Sequence, residues 1–172
     1  MPIVAFLRAV NVGGKTLRTK HLADELGFVN IGAAGTFVAI QAGNAAKVEK
    51  AIRNKLPFET DVFTYPASEI LALLEESPFA RSIPAAAQRF VSFLARAPEP
   101  LRLPVERPEG RGWEVRIVAV IGCAALSLRR PGGPKDLYPN AVVEKVFGVA
   151  ATTRGWATLE AVGLALRSGA VT

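Results

Sequence analysis

Phe28-Val29-Asn30-Ile31-Gly32-Ala33-Ala34-Gly35-Thr36-Phe37-Val38-Ala39-Ile40-Gln41 decides the fold. Two runs rich in β-branched and aromatic residues, 28–31 and 36–41, flank Gly-Ala-Ala-Gly. Such a pair reads as a β-hairpin. Upstream, 3–10 reads as a buried strand and 11–18 as a loop. Thr19 caps a short helix that buries Leu22 and Leu26, and Gly27 ends it. Downstream, Asn44 caps a helix with Val48, Ala51, Ile52 and Leu56 on one face. Lys47, Glu49, Lys50, Arg53 and Asn54 point outward, and Pro57 stops the helix. A strand follows at 61–65. Ser68 then caps a helix to about Glu76, which Ser77-Pro78 breaks. The order strand-helix-strand-strand-helix-strand is that of a ferredoxin-like unit, with helices on one face of an antiparallel sheet.

The second half reads as a degenerate copy. Residues 89–97 form a strand. Pro98, Pro100, Pro104 and Pro108 shorten or remove the helix expected next. Residues 113–120 and 124–129 are paired strands, and Pro131-Gly132-Gly133-Pro134 is a loop. A helix over 139–147 turns Val142, Val143, Val146 and Phe147 inward and ends at Gly148. Thr158 caps a last helix with Leu159, Val162 and Leu166 on one face. The expected fold is α+β, two ferredoxin-like units with antiparallel sheets. Residues 1–80 make the first unit plus an extra helix. Residues 81–172 make the second, with the C-terminal helix, and the boundary falls within 77–88.

Half of the 172 residues are hydrophobic, enough to bury a core and to exclude a disordered chain. No apolar run approaches the ~20 residues that span a bilayer. The longest, 117–128, is interrupted by Gly122 and reads as two strands. The first residues lack a signal-peptide pattern. A single cysteine excludes an internal disulfide. The expected location is the cytoplasm, with no membrane partner.

The net charge is +6. The first twenty residues hold Arg8, Lys15, Arg18 and Lys20 with no acid. Residues 81–130 hold nine arginines against Glu99, Glu106, Glu109 and Glu114. This charge either forms solvated faces or raises the local concentration of anions. Nucleic-acid binders show denser basic clusters with interleaved aromatics, and aromatics here are 8% of residues. Nucleic acid is therefore a possible partner but not the favoured one.

His21 is the only histidine and Cys123 the only cysteine. A structural zinc site needs about four such ligands, so neither metal nor cofactor is expected. No serine sits in a Gly-x-Ser-x-Gly elbow for His21 to serve, and it reads as a surface residue. Cys123, beside Gly122, reads as a buried small hydrophobe.

Three segments carry the polar residues of interest. In Phe6-Leu7-Arg8-Ala9-Val10-Asn11-Val12-Gly13-Gly14-Lys15, Arg8 must pair or reach an edge, with Asp24 or Glu25 as possible carboxylates. Asn11 can bond the loop backbone. Gly13-Gly14-Lys15-Thr16 lacks the first glycine of a phosphate loop, since position 9 is alanine. The glycine pair is either a turn with positive φ or an anion nest charged by Lys15 and Arg18. In Gln41-Ala42-Gly43-Asn44, Asn44 caps a helix whose N-terminus suits anions, and Gln41 is a surplus polar group. Thr152-Thr153-Arg154-Gly155-Trp156 reads as a loop before the last helix. Trp156 stacks on Arg154 or a planar ligand, or else plugs the core between the halves.

Together these segments resemble a bacterial family known as domain of unknown function 1697. Its typical segments are Leu-Leu-Arg-Gly-Ile-Asn-Val-Gly-Gly, Gln-Ser-Gly-Asn and Ala-Thr-Thr-Arg-Asn-Trp. Ser77-Pro78-Phe79 and Phe93-Leu94 also fit its spacing. Alanine replaces the usual glycine at position 9 and the usual serine at 42, and glycine replaces asparagine at 155. The resemblance implies two ferredoxin-like α+β units and names no reaction. On this reading the three segments converge at one end of the sheets as a basic cleft for a phosphate, carboxylate or nucleotide. Arg8, Asn11, Gly13, Gly14, Lys15, Gln41, Asn44, Thr153, Arg154 and Trp156 would line it. No general base is evident, so binding is better supported than catalysis. The rival readings are a nucleic-acid-binding module and purely architectural motifs.

Overall fold

The computed structural model describes residues 1–9, 16–76, 78–79 and 83–169. The chain is α+β, with five helices and two antiparallel sheets among these residues. It divides into two units, Met1–Glu76 with Ala157–Thr172, and Ser77–Trp156. None of the described helices is long and apolar enough to cross a membrane.

The first unit contains β1 (Ile3–Leu7), α1 (Thr19–Leu26), β2 (Val29–Ile31), β3 (Thr36–Ala39), α2 (Ala45–Lys55), β4 (Val62–Pro66) and α3 (Ala67–Glu76). The sheet order is β2-β3-β1-β4, every pair antiparallel. Each strand-helix-strand connection therefore skips one strand, the split arrangement that the element order predicts. Ile3, Ala5 and Leu7 alternate onto the face covered by Leu22 and Ala23 of α1 and by Val48 and Ile52 of α2. Val4 and Phe6, on the other face, are also fully buried. Burial on both faces explains why this strand is a continuous apolar run rather than an alternating one. The last helix, α5 (Trp156–Gly169), runs almost entirely in this unit. It lies against α3, because a Cβ on Gly163 would come within 2.7 Å of the Leu74 side chain.

Local details differ from the sequence reading. β1 ends at Leu7, whose N–H donates to the Gly35 carbonyl at 2.8 Å, and the chain bends at Arg8 and Ala9. Gly35 has φ +81, and a Cβ there would lie 2.8 Å from the Leu7 Cβ. Only glycine fits this turn. Arg18, not Thr19, is the N-cap of α1, without a side-chain bond. Thr19 is buried, and its hydroxyl donates to the Gly32 carbonyl at 3.4 Å. Gly27 ends α1 at φ +70, as expected. α3 begins at Ala67, directly after β4, with Ser68 inside its first turn.

The second unit contains β5 (Gln88–Leu94), β6 (Val105–Arg107), β7 (Val115–Ile121), β8 (Ala124–Arg129), α4 (Pro139–Phe147) and β9 (Ala151–Gly155). Its sheet order is β6-β7-β8-β5-β9. Without β6, this is the order of the first sheet. No helix joins β5 to β7, and the proline-rich stretch instead supplies β6 as an edge strand, where missing N–H groups cost least. α4 starts on Pro139 and ends on Gly148 in the left-handed region. Val142 and Val143 meet Leu94, Val115, Ile117 and Ala125 in the core. Residues 151–155 correct the expected loop: they are a strand paired with β5 along its length. Cys123 corrects the expected buried position. It is half-buried, in the turn between β7 and β8.

Glu114 is 2% exposed, and its carboxylate accepts the N–H groups of Lys135 at 3.1 Å and Leu137 at 3.0 Å. These charge-assisted bonds hold the loop before α4. The loop passes so close that a Cβ on Gly133 would sit 2.4 Å from Glu114 Cγ and Cδ. Gly133→Ala should therefore destabilise the protein by about 1–3 kcal/mol through overpacking. Gly112→Ala, where a Cβ meets nothing within 4 Å, should be nearly neutral in the same denaturant titration.

Candidate functional site

A cleft of about 820 Å³ opens at the C-terminal end of β1. Arg8 and Arg53 lie on its polar side with Glu59 and Asp61, and Leu56, Pro57 and Phe58 form an apolar strip. Arg8 arrives there because the chain turns sharply after β1: its N–H donates to the Asp61 carbonyl at 3.0 Å, and the Thr60 hydroxyl donates to its own carbonyl. Its side chain pairs with Asp61 at 3.5 Å. This corrects the expectation of Asp24 or Glu25, which belong to α1 and pair with Lys20 and His21 instead. Ala9, on the lip, has φ +54, in the left-handed region that favours glycine. The family pattern has glycine at that place.

Arg53, in the last turn of α2, donates from Nε to Glu49 at 2.9 Å and from Nη1 to the Thr60 carbonyl at 2.9 Å. The sequence reading placed Arg53 on a solvated face and passed over Thr60 and Asp61. A cation in the last turn of a helix that closes a strand-helix-strand unit was the signal for it.

The other candidates do not gather here. Ile3 faces Ala39 and Phe6 faces Thr36, so β3 runs against β1. Gln41 and Asn44 then lie beyond the start of β1, whereas Arg8 lies past its end. At ~3.3 Å per residue the two sites are roughly 20 Å apart along the sheet. Arg8 therefore does not converge with Gln41 and Asn44. Asn44 is an exposed helix cap whose Oδ1 accepts the Lys47 N–H at 2.9 Å, and Gln41 is exposed in a turn. Asn11, Gly13, Gly14 and Lys15 lie outside the described residues. His21 is exposed, and no group of three potential metal ligands occurs among the described residues.

The third segment is built into the second sheet. Ser92 on β5 faces Thr153 on β9, and their hydroxyl oxygens are 2.6 Å apart. Thr153 donates to Asn140 Oδ1 at 2.8 Å, so Ser92 must donate to Thr153. Asn140 donates in turn to Glu144 at 2.7 Å. Arg154 is 6% exposed, and its Nη1 donates to the Thr152 hydroxyl at 2.7 Å and the Thr153 carbonyl at 2.9 Å. Desolvation lowers its pKa to about 10, with Tyr138 acting in the opposite sense. It still carries its charge at neutral pH. Trp156 is buried, edge to face on Phe79 at 5.2 Å.

A family model described as protein of unknown function (DUF1697) matches residues 1–109, more than half of the chain. No curated protein and no solved structure matches.

Two stability measurements follow. Arg154→Ala should cost about 2–5 kcal/mol in urea unfolding, because it strips partners from buried polar groups; an unchanged midpoint would show that the guanidinium is solvated. Ala9→Gly should stabilise the chain by about 1 kcal/mol by relieving the left-handed backbone, and a loss of stability would contradict the turn described here.

Proposed function

We propose that this chain, which belongs to the DUF1697 family, binds a small anionic ligand in the cleft at the end of β1. The supporting observation is the cleft itself, with Arg8 and Arg53 beside an apolar strip. The Arg8–Asp61 pair is 3.5 Å long and joins a half-buried side chain to a more exposed one. Such pairs contribute little, so Arg8 can exchange Asp61 for a phosphate or carboxylate at small cost. A guanidinium grips either group through two parallel N–H bonds. Leu56, Pro57 and Phe58 suit an apolar or planar body on the same ligand. Glu59 and Asp61 would accept from its hydroxyls.

In this reading Arg8 and Arg53 carry the binding, and Gln41 and Asn44 do not. The burial of Arg154 and Trp156 favours an architectural role for the third segment. A nucleic-acid role has less support, since Trp113 and Trp156, the natural stacking faces, are buried.

Titration calorimetry with inorganic phosphate and adenosine monophosphate tests the proposal. Saturable binding is expected for at least one of them. Arg8→Ala should weaken it by about 1.5–3 kcal/mol, the range for bonds to charged groups, while Tm moves little. Gln41→Ala should leave affinity unchanged. Binding that survives both Arg8→Ala and Arg53→Ala, or no saturable binding at all, would refute this site.

A further inference from the structure

In the first unit two helices share one face of the sheet. Leu22 and Ala23 of α1 pack beside Val48 and Ile52 of α2, over Ile3, Ala5 and Leu7. The second unit repeats the strand order with a single helix, α4, on the corresponding face. The chain that would form the other helix carries Pro98, Pro100, Pro104 and Pro108 and emerges as β6 at the sheet edge. A groove of about 430 Å³ is left between α4 and the end of β6. Its floor is apolar, formed by Leu137, Val142 and Val146. Arg107, Lys135 and Lys145 stand around its rim.

The charge balance of this rim is one-sided. Lys135 and Lys145 are exposed, and no carboxylate pairs with either side chain among the described residues. Arg107 donates to the Glu106 carbonyl at 2.8 Å and pairs with the largely solvated Glu109 carboxylate at 3.6 Å. Glu114 lies buried nearby, but both of its oxygens are taken by the backbone N–H groups of Lys135 and Leu137. An apolar floor under three cations is complementary to a molecule with a greasy body and an anionic head.

Size decides between a small molecule and a docked helix. Three turns of helix, about 10 Å across and 16 Å long, occupy roughly 1,200 Å³. The groove is about a third of that. We propose that it binds a small amphipathic carboxylate, with an acyl chain or ring system on Leu137, Val142 and Val146 and the carboxylate between Lys135, Lys145 and Arg107. This site is independent of the cleft at β1, with no residue in common.

Decanoate, kept below its micelle range, is the probe, followed by calorimetry and by amide chemical shifts. One-to-one binding is expected, with shifts confined to α4, β6 and residues 135–137. Decanol, with the tail but no charge, and acetate, with the charge but no tail, should each bind at least about tenfold more weakly. The Lys135→Glu, Lys145→Glu double variant should lose about tenfold in affinity at unchanged Tm, since both side chains are exposed. Ala141→Trp, which fills the groove from the exposed side of α4, should abolish binding. Decanol binding as tightly as decanoate would overturn the proposal, as would full affinity in the double variant. So would an acidic helical peptide that shifts the same amides when decanoate does not.

Discussion

The five residues of β1 are hydrogen-bonded along both edges, to β3 and β4, and buried on both faces. Nothing about this strand is free to vary. Each side chain meets a packed layer, and its backbone groups are spent on its neighbours. A charged side chain cannot be held there without a costly desolvation, so polarity is expelled to the strand ends. Arg8 is the first residue past that limit. The chain bends at Arg8 and Ala9, where Arg8 is hydrogen-bonded to Thr60 and Asp61. The cleft at β1 is thus a consequence of how the central strand stops.

The second sheet solves the same problem with different material. β5 is again central, paired to β8 and β9, but it tolerates Ser92 in its middle because Thr153 and Asn140 satisfy the hydroxyl. Glu114 does similar work beside the sheet. It is a buried carboxylate satisfied by two backbone N–H groups, and it ties the loop before α4 to the sheet. Gly133 is the price of that close approach. The guanidinium carbons of Arg116 and Arg130 both lie over the Trp113 ring, at 4.2 and 3.8 Å. These cation–π contacts help to keep a large aromatic out of water.

Much of this architecture was legible in the sequence. The Gly-Ala-Ala-Gly hairpin, the Asn44 cap, the glycine stops at 27 and 148 and the helix beginning at Pro139 all follow local rules that tertiary packing did not override. The proline cluster correctly foretold a missing helix. β9 was missed because Arg154 and Gly155 look like loop residues; their strand state depends on pairing with β5, some sixty positions away, which no local pattern records. Arg8 was assigned to the strand for the opposite reason. Its apolar neighbours continue the run, and the bend at Ala9, with φ +54, is not recorded in that pattern. The separation of Arg8 from Gln41 was present in the topology. In an antiparallel pair, the segment after one strand and the segment after its partner emerge at opposite ends. Shared polarity had outweighed that constraint.

Two arginines make the difference between residue type and position concrete. Arg8 faces the Asp61 carboxylate across 3.5 Å, its side chain half-buried and that of Asp61 more exposed. A partly solvated pair of this kind contributes little to the free energy of the fold. Arg154 is enclosed and donates to a hydroxyl and a carbonyl of its own strand, fixed by the sheet register. Losing those contacts would leave buried polar atoms without hydrogen bonds, and no incoming ligand could reach in to replace them. The same guanidinium is half-buried beside a carboxylate at one position and enclosed by its own strand at the other. What separates them is burial, which is not written in the identity of the residue.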